Sequence, residues 1–129
     1  MSDKFTLEII TPNKSILKSE ASEVTIPSYE GQMGILKDHI PLITFLRPGV
    51  ISIQGQEKKK YYVEEGTVEF SNNNLLILTS TARNLTDLNQ GSIENLLNQA
   101  ENKLKENDIS DKEKYLLSYK ISTLKEVNR

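Results

Sequence analysis

The sequence predicts an all-β N-terminal domain, a sandwich or flattened barrel over residues 1–87, followed by an α-helical hairpin over residues 88–129. Three observations carry that prediction. Up to about residue 90, short alternating or β-branched segments are punctuated by Gly, Pro and Asn, as strands joined by tight turns are. Beyond it, apolar residues recur at helical spacing. Within that second part, Ser110-Asp111-Lys112-Glu113 is a capping box, which starts a second helix.

The elements follow in order. Phe5-Thr6-Leu7-Glu8-Ile9 alternates cleanly, so one face is apolar and the other polar. Ala21–Ile26 stops at Pro27, Ile35-Leu36 follows a Gly-containing turn, and Val50–Ile53 stops before Gly55. Lys60–Glu64 and Thr67–Phe70 are separated by Glu65-Gly66, a turn-sized gap. Asn72-Asn73-Asn74 then leads into Leu75–Thr79. A single sheet of so many strands would leave one apolar face in water, so the sheet must fold onto itself. In the second part Ile93, Leu96, Leu97, Ala100 and Leu104 form one stripe, with Ser92 expected as the N-cap. Asn107-Asp108 interrupts it, and Leu117, Ile121 and Leu124 form the next stripe, flanked by Leu116 and Val127. Two helices of this length are marginal alone, so their stripes must face each other and a third surface. Two surfaces can supply that cover: the sandwich or another protein.

Composition narrows the function. The chain has 129 residues, 36% hydrophobic and 26% charged, with a net charge of -2. That balance argues against a dedicated nucleic-acid surface. There is no Cys, no Trp and a single His, which removes thiolate nucleophiles and Cys-based metal sites. No apolar run has signal-peptide or membrane-span length, so a soluble, cytoplasmic protein is expected. Charge is uneven: residues 111–129 hold five basic and three acidic side chains, the basic ones being Lys112, Lys114, Lys120, Lys125 and Arg129.

Catalytic candidates are few. His39 has Asp38 beside it, but neighbours on a strand point to opposite faces, and no nucleophile motif accompanies them. Glu30-Gly31-Gln32-Met33-Gly34 lacks the Gly-Lys-Ser/Thr of a phosphate loop and the third Gly of a dinucleotide fingerprint. Lys58-Lys59-Lys60-Tyr61-Tyr62 mixes cations and aromatics as single-strand binders do, yet it sits between Glu57 and Glu64-Glu65 and reads as a hairpin entering a strand. No enzyme constellation emerges.

Four segments in fixed order carry a resemblance: Val24-Thr25-Ile26-Pro27, Glu30-Gly31-Gln32-Met33-Gly34-Ile35-Leu36, His39-Ile40-Pro41-Leu42 and Arg47-Pro48-Gly49-Val50. Together with Leu76–Arg83 they make the chain resemble the epsilon subunits of bacterial F-type ATP synthases, from about Phe5 to Val127. The resemblance implies a sandwich of ten strands and a helical hairpin. It implies a non-catalytic rotor subunit of the central stalk of a proton-translocating synthase, binding gamma on one side and the membrane c-ring on another. Its place would be the cytoplasmic face of the bacterial plasma membrane, held there only through the complex. By matched position, Thr11, His39 and Thr44 would face gamma, and Glu30 and Gln32 the c-ring. The hairpin would reach alpha and beta and restrain ATP hydrolysis, with Lys112, Lys114, Lys120 and Lys125 as its contacts.

One part of the family pattern is missing. Where some bacterial members bind ATP through a motif like Leu-Asp-x-x-Arg-Ala, this chain reads Leu88-Asn89-Gln90-Gly91-Ser92-Ile93. Asn89, Ser92 and Ile93 replace the Asp, the Arg and the Ala, and without the Arg a cationic donor to phosphate is lost. No cofactor is expected. The alternative function, outside any synthase, is a stand-alone β-sandwich protein-binding module with a regulatory helical tail.

Overall fold

A computed structural model describes residues 3–128. Ten strands come first: β1 (Phe5–Thr11), β2 (Lys14–Ala21), β3 (Glu23–Ser28), β4 (Gly31–Leu36), β5 (Leu42–Leu46), β6 (Gly49–Gln54), β7 (Lys58–Val63), β8 (Gly66–Ser71), β9 (Asn74–Thr79) and β10 (Ala82–Asn84). A 3-10 turn (Leu85–Asp87) leads to α1 (Gln90–Leu104) and α2 (Asp111–Val127). The expected sandwich and hairpin are both present.

The strands run β10-β7-β6-β3-β5-β8-β9-β1-β2, with β4 on the other side of β3. β3 is the corner. Its first half pairs with β6, and its last residue, Ser28, pairs with Leu46 of β5. One layer is therefore β4-β3-β6-β7-β10 and the other β5-β8-β9-β1-β2. All pairings are antiparallel except β1 with β9, which run parallel from Thr6↔Asn74 to Ile10↔Leu78. The β8–β9 hairpin turns through Asn72 and Asn73, both at positive φ (50° and 59°), a conformation that Asn tolerates and that matches the sheet twist.

Alternation sends Phe5, Leu7, Ile9, Val68, Phe70 and Ile77 into the space between the layers, where they meet Val24, Ile26, Ile35 and Ile51. A second, smaller cluster lies outside the sandwich. Tyr62, on the outer face of β7, is buried there with Ile93 of α1 and Leu124 of α2. The hairpin is therefore docked on the β6–β7 face.

Several local expectations are corrected. α1 is capped by Asn89, whose side chain accepts from Ser92 N–H at 2.8 Å; Ser92 is inside the helix and does not cap it. Gly66 opens β8, so the preceding turn is Glu64-Glu65. The capping box stands as expected: Ser110 Oγ accepts from Glu113 N–H at 3.1 Å.

Candidate interaction surfaces

The two outer faces of the sandwich differ. The β6–β7 face is covered by the hairpin. The β5–β8–β9–β1 face is open, and its apolar side chains are exposed: Ile43 73%, Phe45 58% and Leu78 42%, with Ile40 at 75% on the loop before β5. Register explains why they gather. Phe45 pairs with Thr67, Thr67 with Leu78, and Ile10 with Leu78, so these side chains share one face across four strands.

Thr11, His39 and Thr44 lie around this face. Thr11 ends β1 and lines a hollow with Leu78; its hydroxyl donates to Lys14 O at 3.2 Å. His39 is half-buried at the opposite end. Its ring meets Phe70 edge-on at 6.0 Å, and Nδ1–H donates to Ile40 O at 2.7 Å. Asp38 does not orient the imidazole. It sits at φ 67° and exchanges hydrogen bonds with Asn73, its N–H donating to Oδ1 at 2.7 Å. Thr44 belongs to β5 but points inward, 6% exposed, leaving the surface to Ile43 and Phe45.

Glu30 and Gln32 occupy the β3–β4 hairpin tip. Buried Ser28 shapes it: its hydroxyl donates to Gly31 O at 2.6 Å and its oxygen accepts from Glu30 N–H at 3.2 Å. Gly31, at φ 119°, takes a backbone shape that other residues rarely adopt. Both carrier side chains are exposed.

The tip and the neighbouring β5–β6 turn touch the hairpin through side chains to which the sequence patterns gave no role. Arg47 stacks 3.9 Å over the Tyr119 ring and donates to the Tyr115 hydroxyl at 3.3 Å. Tyr115 packs on Tyr29, ring centroids 5.6 Å apart, and donates to Tyr29 O at 3.5 Å. Thr123 Oγ1 donates within the helix to Tyr119 O at 2.7 Å and lies 3.4 Å from Pro48 O. Tyr115, Tyr119 and Thr123 recur every four residues, a helical face visible in the sequence once aromatics are counted with leucines.

Of the four lysines, Lys120 pairs with Glu64 at 3.1 Å, and Glu64 also accepts from the Tyr62 hydroxyl at 3.0 Å. Lys125 lies 3.9 Å from Glu101 of α1. Lys112 and Lys114 are exposed in the first turn of α2. Arg129 lies outside the described residues. Tyr61 and Tyr62 are both buried, one between the layers and one under the hairpin, so the Lys58–Tyr62 run offers no stacking platform to a nucleic acid. Among the described residues no three His, Asp or Glu side chains converge as a metal site requires, and no helix is long and apolar enough to cross a membrane.

Residues 4–85, the whole sandwich, match the family model described as the ATP synthase delta/epsilon chain β-sandwich domain. The chain is also 50% identical to the ATP synthase epsilon chain of Pelagibacter ubique, over 99% of its length and 100% of that protein's. The chain belongs to the ATP synthase epsilon family. The epsilon chain of Rickettsia bellii is 34% identical over 75% of this chain and 94% of its own, and that of Hyphomonas neptunium 30% over 96% and 93%. Among solved structures, a chain of the Euglena gracilis mitochondrial ATP synthase OSCP/F1/c-ring assembly superposes with a TM-score of 0.82 at 19% identity, covering 100% of this epsilon chain and 84% of that one. A chain of the Tetrahymena thermophila central stalk and c-ring gives 0.66 at 15%, covering 96% of each. At these identities the structural likeness shows the fold alone. Membership through the sequence relatives makes this chain a subunit of an ATP synthase complex and sets aside the stand-alone module.

Proposed function

We propose that this epsilon chain is a non-catalytic rotor part that links gamma to the c-ring at the foot of the central stalk, and that its hairpin restrains ATP hydrolysis when it leaves the sandwich. The observation that carries the reading is the open apolar face of β5 and β9. A monomer gains nothing by holding Ile43 and Phe45 outward, whereas a stable partner that covers them does. Gamma is the partner that the family reading supplies for that face, with Thr11, His39 and Thr44 at or beneath it. The Glu30–Gln32 tip, rigid and polar, suits hydrogen bonding to the loops of a ring. Lys112 and Lys114 are available to acidic surfaces of alpha and beta, and Lys120 and Lys125 join them only when the hairpin exchanges its present ion pairs. The site of work is the cytoplasmic face of the bacterial plasma membrane.

Nucleotide has no part in this reading. Asn89 is engaged in capping α1, and Ile93 is buried against Tyr62 and Leu124.

The test is co-elution with purified gamma. The native chain forms a complex at micromolar concentration, and Phe45→Glu weakens it at least about 100-fold, because a buried charge without a partner costs several kcal/mol. Equal binding by Phe45→Glu, or no complex at all, overturns the gamma assignment. For restraint of hydrolysis, a chain ending at Gln90 inhibits the synthase's ATPase less than the full chain. Equal inhibition would make the hairpin a structural appendage only.

A further inference from the structure

Docked α2 is held in two different ways along its length. Its C-terminal part buries Leu124 against Tyr62 and Ile93, an ordinary apolar contact. Its N-terminal part, residues 111–123, has no fully buried side chain. A cleft of about 560 Å³ lies between the β6–β7 face and α2 from Tyr119 to Val127, with Ser52, Lys60 and Ser122 among its lining. What holds this part to the sandwich is the set of contacts from Arg47 and Tyr29 to Tyr119 and Tyr115, the approach of Thr123 to Pro48 O, and the Lys120–Glu64 ion pair at 3.1 Å.

The Tyr115–Tyr29 contact lands on the backbone that carries Glu30 and Gln32, and the Arg47 contacts land on the neighbouring β5–β6 turn. Tyr29 precedes Glu30 directly, and Gln32 lines the same cleft as Arg47 and Tyr119. The two sandwich turns are themselves tied together: Arg47 N–H donates to Pro27 O at 3.0 Å, and Tyr29 N–H donates to Phe45 O at 3.1 Å. A displacement of α2 therefore removes the ring packed on Tyr29 and the aromatic seat of Arg47 at once, from both turns.

We propose that Arg47, Tyr115 and Tyr119 are positioning residues that couple hairpin docking to the shape of the Glu30–Gln32 tip. The docked helix holds the tip ready for its partner, and release of the helix loosens it. Coupling between two equilibria is reciprocal, so a partner bound at the tip favours the docked hairpin by the same factor. This inference rests on the reading of the tip as the c-ring contact. It adds that the ring contact and the inhibitory excursion of the hairpin oppose each other through three named side chains.

The experiment uses the full chain, free and bound to a gamma–c-ring subcomplex, followed by amide hydrogen exchange. In the free chain, Tyr119→Leu and Arg47→Gln accelerate exchange across residues 29–33 at least about threefold, while β1 and β9 amides keep native rates. Tyr115→Phe, which keeps the ring and loses both hydroxyl contacts, gives a smaller acceleration. With the subcomplex, the native chain shows slower exchange in α2 than the free chain, and Tyr119→Leu shows less of that protection. Acceleration confined to α2, with residues 29–33 unchanged in the free variants, overturns the coupling. If Glu30→Ala and Gln32→Ala bind the subcomplex as tightly as the native chain, the ring-facing reading of the tip fails instead. The free-chain exchange then decides the coupling alone.

Discussion

At the scale of single residues, Tyr62 joins the two parts of the chain. It is buried on the outer face of β7, donates to Glu64 and packs on Leu124. Burial, and after it the negative charge and hydrogen bond of Glu64, raise its pKa above the usual tyrosine value of 10.0. In the unfolded chain Tyr62 ionises near that value, whereas the folded chain keeps the proton. The stability this contributes is complete below pH 10 and is lost as the pH rises above it. Urea midpoints measured between about pH 9 and 11 therefore fall more steeply for the native chain than for Tyr62→Phe, which has no proton to lose. Parallel slopes would show that Tyr62 is not responsible.

Among the elements, the β5–β6 turn shows how closely the corner is built. A Cβ on Gly49 would lie 2.5 Å from Pro27 Cβ and 2.8 Å from its Cγ, and a proline ring on a paired strand has little room to give. Gly49→Ala destabilises the sandwich by about 1–3 kcal/mol, read from denaturant midpoints. Element legibility varied for physical reasons. Clean alternation exposed β1, and the capping box exposed α2. β2 was harder to read, because Lys14–Ala21 is an edge strand with a register shift opposite Ile9/Ile10, so its polar and apolar residues follow no period. The start of α1 was displaced because Asn89 and Ser92 are both good caps, and only the backbone chose between them. β5 was the least legible and the most informative. Leu42-Ile43-Thr44-Phe45-Leu46 has no readable alternation, and the fold turns Thr44 inward and Ile43 and Phe45 outward. A local rule broken in this way is what a binding face produces. Nothing in the sequence around Phe45 marks it as outward-facing; the segments His39–Leu42 and Arg47–Val50 bracket β5, and the register places the side chains that line the open face.

Considered whole, the described residues form two separate apolar clusters, so hairpin docking and the interlayer core rest on different side chains. Leu124 belongs to the outer cluster and touches none of the interlayer core formed by Phe5, Ile9 and Phe70. Leu124→Ala removes the one fully buried side chain of α2, at a cost of about 2–5 kcal/mol. That cost falls on docking. The expected result is fast amide exchange throughout α2 with native protection in β1, β8 and β9. Loss of protection in both parts together would mean that sandwich and hairpin form one cooperative unit.

The parallel pairing of β1 with β9 also governs the order in which the protein can fold as it is made. β1 leaves the ribosome before the other strands, yet it cannot take its place between β2 and β9 until the chain has been extended beyond Thr79. Thr6 and Asn73, joined by a hydrogen bond, are 67 residues apart in sequence. Contacts so distant carry a large loop-closure cost before they return anything, so the sandwich is a slow folder, with refolding expected in milliseconds to seconds. The helices are synthesised after all the strands. They arrive after β6, β7 and β10 have been made, so during synthesis the hairpin meets its sandwich much as it would meet a partner.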